Sequence, residues 1–402
     1  MRIKIKGASL SALIIVSLMV ILLLAPLKAA GFSGSGSGTA GDPYIITTVE
    51  QLQAMENNLT AHYALGNDID ASSTVSWNGG AGFVPIGTDA NRFTGSLDGR
   101  GYKIYNLYIN RSGTDYVGLF GYVGSGGVVD NVGVENVNVV GDHNAGGLAG
   151  RNVGTVSKSY SIGSVSGDYP IGGLVGGNDG TVSKCYSTGS VSGINFVGGL
   201  VGGNIGGTVS NCYSTSSVTS GDCAGGLVGQ NAGTISNSYS TGSVSGSYPI
   251  GGLVGYNVGT VSNSYSTGAV SGSSYVRGLI GYNNEGTVSN SFWDNETSGC
   301  STSDGGTGKT TAQMKTKTTF TDAGWDFVNI WDIYSGFNSG YPFLAWQYSP
   351  PTVVPLSASA IFLIAVAVIG GLLGGIAVHS RYFGRRTRQR ARRGRRSRRG
   401  RD

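Results

Sequence analysis

Residues 172–198 read GGLVGGNDGTVSKCYSTGSVSGINFVG, and this stretch recurs along the middle of the chain. Gly-Gly-Leu-Val-Gly or a close variant begins at residues 146, 172, 198, 225, 251 and 277, and a more divergent Val-Gly-Leu-Phe-Gly begins at residue 117. Successive copies start 29, 26, 26, 27, 26 and 26 residues apart. Self-similarity at a fixed period of this length is typical of stacked repeat architectures.

Each copy contains short runs of strand-forming residues separated by Gly or Asn. In the quoted unit these runs are Gly-Leu-Val-Gly, Thr-Val-Ser and Cys-Tyr-Ser-Thr-Gly-Ser-Val, and none is long enough for a helix. Three strands, each followed by a turn, would close one triangular coil, and parallel pairing would stack coils about 4.8 Å apart. The sequence therefore predicts an all-β fold, a parallel and right-handed β-helix solenoid of about seven 26-residue coils with capping segments.

Residue parity predicts which side chains line the interior of each coil. Cys185, Ser187 and Val191 share one face of the third run, and we expect them to point inward. The alternate position then faces outward and carries an aromatic ring in coil after coil: Tyr160, Tyr186, Tyr213, Tyr239, Tyr265 and Phe292. This column is our candidate ligand-binding surface, because stacked rings suit carbohydrates; the alternative is that the rings only pack along the solenoid and stabilise it.

Composition excludes several other classes of protein. Gly is 71 of 402 residues and charged residues are 12%. The Gly residues follow no Gly-X-Y period, which excludes collagen, and their frequency excludes long helices. The formal net charge of +5 comes from basic residues at the two ends of the chain, so it does not predict nucleic-acid binding.

The two ends predict export and membrane anchoring. Residues 1–30 have the basic, apolar and small-residue regions of a signal peptide, or of an uncleaved anchor, and residues 31–41 form a Gly/Ser linker. A Pro-rich linker at 350–355 leads to an uncharged apolar stretch at 356–378, which we interpret as a C-terminal transmembrane helix. The Arg-rich residues 379–402 would then be a cytoplasmic tail. The prediction is a single-pass membrane protein with an extracellular body at the cell surface.

The repeats resemble the GLUG motif, which is found in arrays in prokaryotic surface proteins. The resemblance rests on Gly-Gly-Leu-Val-Gly, the following Asn-x-Gly-Thr-Val/Ile, and the Asn-Cys/Ser-Tyr-Ser-Thr-Gly run, and it covers residues 117–295. It implies a filamentous-haemagglutinin-like β-helix on the cell surface. Residues 42–116 and 296–349 resemble the flanks of such proteins, and we interpret them as N-terminal and C-terminal caps.

A solenoid exposes an unpaired coil at each end, so caps are physically required. In the C-terminal cap we expect Trp325, Trp331 and Trp346 to plug the open end of the solenoid.

Few residues point to chemistry. Residues 141–290 contain nine charged side chains in scattered registers, which does not suggest the paired carboxylates of a glycosidase. Asp142, Asp168 and Asp222 fall at the same position of their repeats. They could form a calcium-binding ladder, or they could simply belong to a polar turn. Cys185 and Cys212 share a repeat position, so a disulfide and stacked free thiols both remain open. We predict no catalytic residues, no metal site and no cofactor.

The resulting hypothesis is a non-enzymatic cell-surface β-helix protein, anchored by its C-terminal transmembrane helix. Its expected role is adhesion or envelope interaction, its expected partners are surface glycans or envelope components, and nucleic acid is not among them. Two alternatives remain: a carbohydrate-active β-helix enzyme, and a purely structural envelope or spacer protein.

Overall fold

A computed structural model describes residues 32–348 of the chain. The predicted signal peptide at 1–30, the Pro-rich linker at 350–355, the predicted transmembrane helix at 356–378 and the Arg-rich tail at 379–402 lie outside the described residues. Among residues 32–348, none of the helices combines the length and the apolar character that a membrane crossing requires.

Parallel strands stack coil upon coil into four long sheets, which confirms the predicted all-β parallel solenoid of about seven coils. Sheet 1 contains His143–Gly146, Tyr169–Gly172, Val197–Gly198, Ala224–Gly225, Ile250–Gly251 and Val276–Arg277. Sheet 2 contains Phe120–Val123, Ala149–Asn152, Val175–Asn178, Val201–Asn204, Val228–Asn231, Val254–Asn257 and Ile280–Asn283.

The other two sheets extend into the flanking segments. Sheet 3 contains Tyr44–Ile46, His62–Leu65, Ser96–Asp98, Val128–Asp130, Thr155–Ser157, Thr181–Ser183, Thr208–Ser210, Thr234–Ser236, Thr260–Ser262 and Thr287–Ser289. Sheet 4 contains Ile69–Asp70, Lys103–Tyr105, Tyr108–Asn110, Gly133–Val140, Tyr160–Ser166, Tyr186–Gly193, Tyr213–Ser214, Ser217–Ser220, Tyr239–Ser240, Val244–Gly246, Tyr265–Ser266, Val270–Gly272, Phe292–Asp294 and Thr307–Lys309. Both flanks therefore continue the solenoid.

The remaining elements are short. Alpha helices occupy Val49–Gln53, Thr311–Met314 and Lys317–Thr321, and 3₁₀ turns occupy Ala54–Asn57, Ser72–Gly80, Asn338–Gly340 and Ala345–Gln347. The antiparallel strands Trp331–Asp332 and Phe343–Leu344 form a separate two-stranded sheet.

The predicted triangular coil is wrong, because each coil crosses four sheets rather than three. The Gly-Gly-Leu-Val-Gly run is not one strand: it ends a strand of sheet 1 at Gly172 and begins a strand of sheet 2 at Val175. Gly173 forms the corner between them and points into the interior. A Cβ added there would collide with the carbonyl oxygen of Gly199 and lie 3.0 Å from Ser187 Cβ. Only a residue without a side chain fits this corner.

The interior is apolar apart from buried polar side chains, which include a ladder along sheet 2. Cys185, Ser187 and Val191 are all buried, as residue parity predicts. A buried ladder of asparagine side chains runs along sheet 2, and each Nδ2 donates to the Oδ1 of the next coil at 2.7–2.8 Å; its members are Asn152, Asn178, Asn204, Asn231, Asn257 and Asn283. The ladder stops at Asn152 because Val123 occupies the paired position on the preceding coil.

The tryptophans of the C-terminal flank do not plug the open end, which corrects that expectation. Trp346 Nε1 donates to the Asn211 carbonyl oxygen at 3.0 Å, so the flank reaches back along the side of the solenoid. The strand Thr307–Lys309, paired with Phe292–Asp294, extends sheet 4 beyond the last repeat instead. The flank turns back because the sides of the outward rings offer it an apolar surface to bury.

Candidate functional site

The predicted aromatic column forms a continuous stack on the outer surface of sheet 4. In-register parallel pairing places the same residue of each repeat directly over the next. From Tyr160 to Tyr265 the successive ring centroids are 4.7, 4.9, 5.1 and 5.0 Å apart, with interplanar angles of 5–8°. Phe292 pairs in register with Tyr265 and ends the column.

The C-terminal flank covers the C-terminal half of this column, from Tyr239 to Phe292. Tyr239, Tyr265 and Phe292 are only 2%, 0% and 6% exposed. Trp331 contacts both tyrosine rings, with centroids 6.3 and 6.0 Å away. The Tyr265 hydroxyl donates to the Pro342 carbonyl oxygen. Burial raises the pKa of Tyr265 well above its ordinary value, because the charged phenolate would be poorly solvated there.

The remaining rings, Tyr160, Tyr186 and Tyr213, are half-buried and offer edges rather than faces. Each ring face of Tyr186 is covered by its neighbour in the stack. The Tyr160 hydroxyl already donates to Glu135 Oε1 at 2.8 Å. Ligand binding on the column stays a prediction. Because the C-terminal half of the column is buried, a ligand could reach only these three rings. A sugar there would meet hydroxyl groups and ring edges.

A second aromatic surface lies at the corner where the chain passes from sheet 4 to sheet 1. We call it the corner ridge and define it as Tyr169, Phe196, Tyr248 and Tyr275. Tyr169, Tyr248 and Tyr275 are 40%, 41% and 44% exposed. The rings of Tyr169 and Phe196 lie 5.3 Å apart at 43°, and those of Tyr248 and Tyr275 lie 4.7 Å apart at 85°.

These rings are not stacked in parallel, so they leave aromatic surface open to solvent. The Arg277 guanidinium lies 5.6 Å from the centroid of the Tyr275 ring and adds a cation–π contact. Sequence reasoning missed the corner ridge because its position varies between repeats. Asp222 and Cys223 stand in the coil between Phe196 and Tyr248, so no periodic aromatic signal appears. The available signal was an aromatic residue at or just before the sheet 1 strand in four of the repeats.

Asp142, Asp168 and Asp222, for which a calcium ladder and a polar turn were both open, do not form a metal-type cluster with one another among residues 32–348. Asp142 lies with Asp115 and His143, and one ligand-type atom from each falls within 4.8 Å of the others. His143 Nδ1 lies 3.2 Å from a carboxylate oxygen of each aspartate. Both carboxylates reach solvent, and exposed acidic groups of this kind are common without a bound ion.

Cys185 and Cys212 are free, buried thiols on consecutive coils. Cys212 Sγ accepts a hydrogen bond from the Cys185 backbone N–H at 3.4 Å, and Ser238 Oγ accepts one from the Cys212 N–H at 3.1 Å. The thiols therefore take the place that serine hydroxyls hold on other coils. Burial raises the pKa of Cys185 well above its ordinary value, so its thiol stays protonated and unreactive.

Known proteins share the repeats and the fold. The family described as the GLUG motif matches residues 168–192, 197–219, 220–245 and 246–271, so this part of the solenoid consists of GLUG repeats. Halomucin of Haloquadratum walsbyi is 45% identical over 136 residues, and a candidate Gly-rich membrane protein of Evansella cellulosilytica is 38% identical over 135 residues. These alignments cover 33% and 31% of this chain but only 2% and 15% of the two relatives. The name of the second relative describes it as a membrane protein.

A solved structure supports the fold alone. The crystal structure of a candidate immunoglobulin A1 protease from Bacteroides ovatus superimposes with a TM-score of 0.51 at 22% sequence identity. The match covers 78% of this chain and 95% of that chain. At this identity the likeness concerns the solenoid and not the chemistry.

Proposed function

We propose that this GLUG-repeat solenoid is a non-enzymatic cell-surface protein that uses its corner ridge to adhere to glycans or other envelope components. The observation that carries the proposal is the exposure of three tyrosine rings at one corner of the solenoid, at Tyr169, Tyr248 and Tyr275. Exposed aromatic residues gathered on one surface are typical of interaction sites. Tyrosine suits a glycan because its ring packs against apolar C–H groups while its hydroxyl bonds with water or with sugar hydroxyls.

The spacing of the ridge fits an extended ligand. Tyr169 and Tyr248 stand three coils apart, which corresponds to about 14 Å at a strand spacing of about 4.8 Å. Both lie at the same point of their coils, two residues before the sheet 1 positions Ile171 and Ile250. A chain molecule lying parallel to the solenoid axis would contact both rings at once.

The test is glycan-array binding by the full chain and by two variants. In the ridge variant, Tyr169→Ser and Tyr275→Asn remove two exposed rings, and Asn tolerates the positive φ of 49° at residue 275. The control variant, Tyr102→Ser, removes a ring that is 38% exposed elsewhere on the surface. We expect saturable binding that the ridge variant loses and the control retains. Absence of binding by the unaltered chain, or equal binding by both variants, would refute adhesion through the ridge.

We also propose that residues 356–378 anchor the body outside the cell and that the Arg-rich tail stays inside. The support is the uncharged apolar stretch followed by basic residues, together with the membrane-protein name of one relative. Protease treatment of intact cells should digest the body and spare an epitope placed after Asp402. Digestion of the epitope with an intact body would show the opposite orientation.

A further inference from the structure

An open pocket of about 490 Å³ lies in the C-terminal flank, away from the corner ridge. It is bounded by the junction of the helices Thr311–Met314 and Lys317–Thr321 and by the loop that follows the strand Trp331–Asp332. Its lining residues are Lys315, Lys317, Ile333, Tyr334, Ser335, Ser339 and Gly340. A volume of this size is typical of sites for small ligands.

Two lysines, Lys315 and Lys317, line this pocket, and neither ammonium group has a carboxylate partner among the described residues. Lys315 Nζ lies 4.7 Å from the centroid of the Tyr341 ring, and Lys317 Nζ lies 5.0 Å from the centroid of the Phe327 ring. Within residues 32–348, no carboxylate oxygen lies within 4.0 Å of either ammonium, whereas Lys103 and Lys158 are paired with acids. Aromatic rings therefore hold both charges in place while leaving them available to an anion.

This positive site contrasts with its surroundings. Residues 32–348 contain 11 Lys and Arg against 21 Asp and Glu, a net charge of −10. Three of those 11 basic residues fall within residues 309–317, and that stretch contains no acidic residue. A local cationic site on an acidic body is selective, because the rest of the surface repels the anions that the pocket attracts.

One wall of the pocket is the loop at residues 338–340, which has a strained backbone and is held by hydrogen bonds to the aromatic column. Asn338, Ser339 and Gly340 have φ values of 45°, 54° and 86°, a run of three left-handed residues. Asn338 Nδ2 donates to the Tyr265 hydroxyl at 2.8 Å and to the Pro342 carbonyl oxygen at 2.7 Å, which ties the loop to the aromatic column. Backbone strain of this kind concentrates at binding sites, where surrounding contacts keep the shape preformed.

From these features we infer that the pocket binds an acidic sugar residue, a carboxylated unit of an anionic polysaccharide. The two ammonium groups would bind the carboxylate, the Ser335 and Ser339 hydroxyls would bond with sugar hydroxyls, and the Tyr334 and Ile333 side chains would pack against the sugar ring. The site stands apart from the corner ridge and does not depend on adhesion through it.

Lysine acetylation of the full chain tests the inference directly. The chain would be treated with sulfo-N-hydroxysuccinimide acetate in the presence of trigalacturonate, neutral maltotriose or sodium sulfate. Mass spectrometry would then measure the acetylation rate of each lysine. Residues 379–402 contain no Lys, so the Arg-rich tail does not contribute to the signal. We expect trigalacturonate to slow acetylation of Lys315 and Lys317 about fivefold at 80% occupancy and to leave the exposed Lys184 unchanged.

The three ligands separate the possible outcomes. Protection by trigalacturonate alone supports an acidic-sugar site. Equal protection by sulfate would overturn the sugar assignment, because it would show a site for any anion. Acetylation rates at Lys315 and Lys317 that trigalacturonate does not slow would overturn the site itself.

A variant pair gives an independent test of the same pocket. Lys315→Gln with Lys317→Gln removes both ammonium groups, and Lys158→Gln with Lys184→Gln removes the same charge from the repeats. Saturation-transfer NMR of trigalacturonate should show an affinity loss of about tenfold or more for the first pair and little change for the second. Thermal melting checks that both are folded. Equal losses would point to overall charge and overturn the pocket assignment.

Discussion

At the scale of single residues, the buried asparagine ladder joins each coil to the next. Asn204 accepts from Asn178 Nδ2 and donates to Asn231 Oδ1, both at 2.8 Å. Neither neighbour has access to water. Without Asn204, Asn178 Nδ2 would keep only its bond to the Gly180 carbonyl oxygen, and Asn231 Oδ1 only its bond from the Gly233 N–H. An unpaired buried polar group costs about 1–3 kcal/mol.

Asn204→Ala should therefore lower the free energy of unfolding by about 2 kcal/mol, since it removes one hydrogen bond from each of two buried polar atoms on adjacent coils. Urea unfolding measures the change. The control is Asn284→Ala, an exposed asparagine whose Nδ2 donates to the Tyr256 hydroxyl, where we expect a change within about 0.5 kcal/mol. Similar values for the two variants would contradict the structural role of the ladder.

The two buried thiols give a second prediction at this scale. Because Cys185 and Cys212 occupy the place of a serine ladder, Cys185→Ser with Cys212→Ser should change the free energy of unfolding by about 1 kcal/mol or less. Thiol titration of the unaltered chain, unfolded without reductant, should count four free thiols. A count of two would reveal a disulfide and refute the thiol ladder.

At the scale of elements, the tyrosine column couples folding to alkaline pH. Burial raises the pKa of Tyr186 to about 12 from its ordinary value of 10.0. Between these values the unfolded chain has released a proton that the folded chain retains. The full contribution to stability is therefore present below pH 10, and it is lost as pH rises through about 12.

Urea unfolding at about pH 9 and about pH 11 should show this loss, and Tyr186→Phe should reduce it because phenylalanine has no proton to release. An identical pH dependence in the variant would contradict the burial of this hydroxyl.

The pairing of strands between coils was predictable from the sequence. The corner at Gly173 and the position of the C-terminal flank were not, because they depend on contacts that the repeat pattern does not specify. Identical repeats fix the register, so Tyr186 had to pair with Tyr213. The corner at Gly173 was missed because propensity favours a strand through Leu174 and Val175, while the shape of the interior decides the bend. The position of Trp346 on Tyr213 joins segments 133 residues apart, and composition alone does not specify such a contact.

At the scale of the whole molecule, a solenoid is a sum of coils and the contacts between neighbours. Deleting residues 205–231 removes one full coil and joins Asn204 to Ala232 in register, because Asn204 pairs with Asn231. We expect this variant to fold with a cooperative thermal transition. The matched deletion of residues 205–217 removes about half a coil, so it should not fold. Equal behaviour of the two would contradict the repeat architecture.

The proposed binding face of the whole molecule is one corner of the solenoid, the corner ridge. Hydrogen–deuterium exchange on the full chain, with and without an envelope extract that it binds, measures this most directly. We predict slowed exchange in peptides that contain Tyr169, Phe196, Tyr248 and Tyr275, with peptides of the asparagine ladder unchanged. Protection confined to the half-buried tyrosines of the column, Tyr160, Tyr186 and Tyr213, or spread evenly over all coils, would contradict binding through the corner ridge.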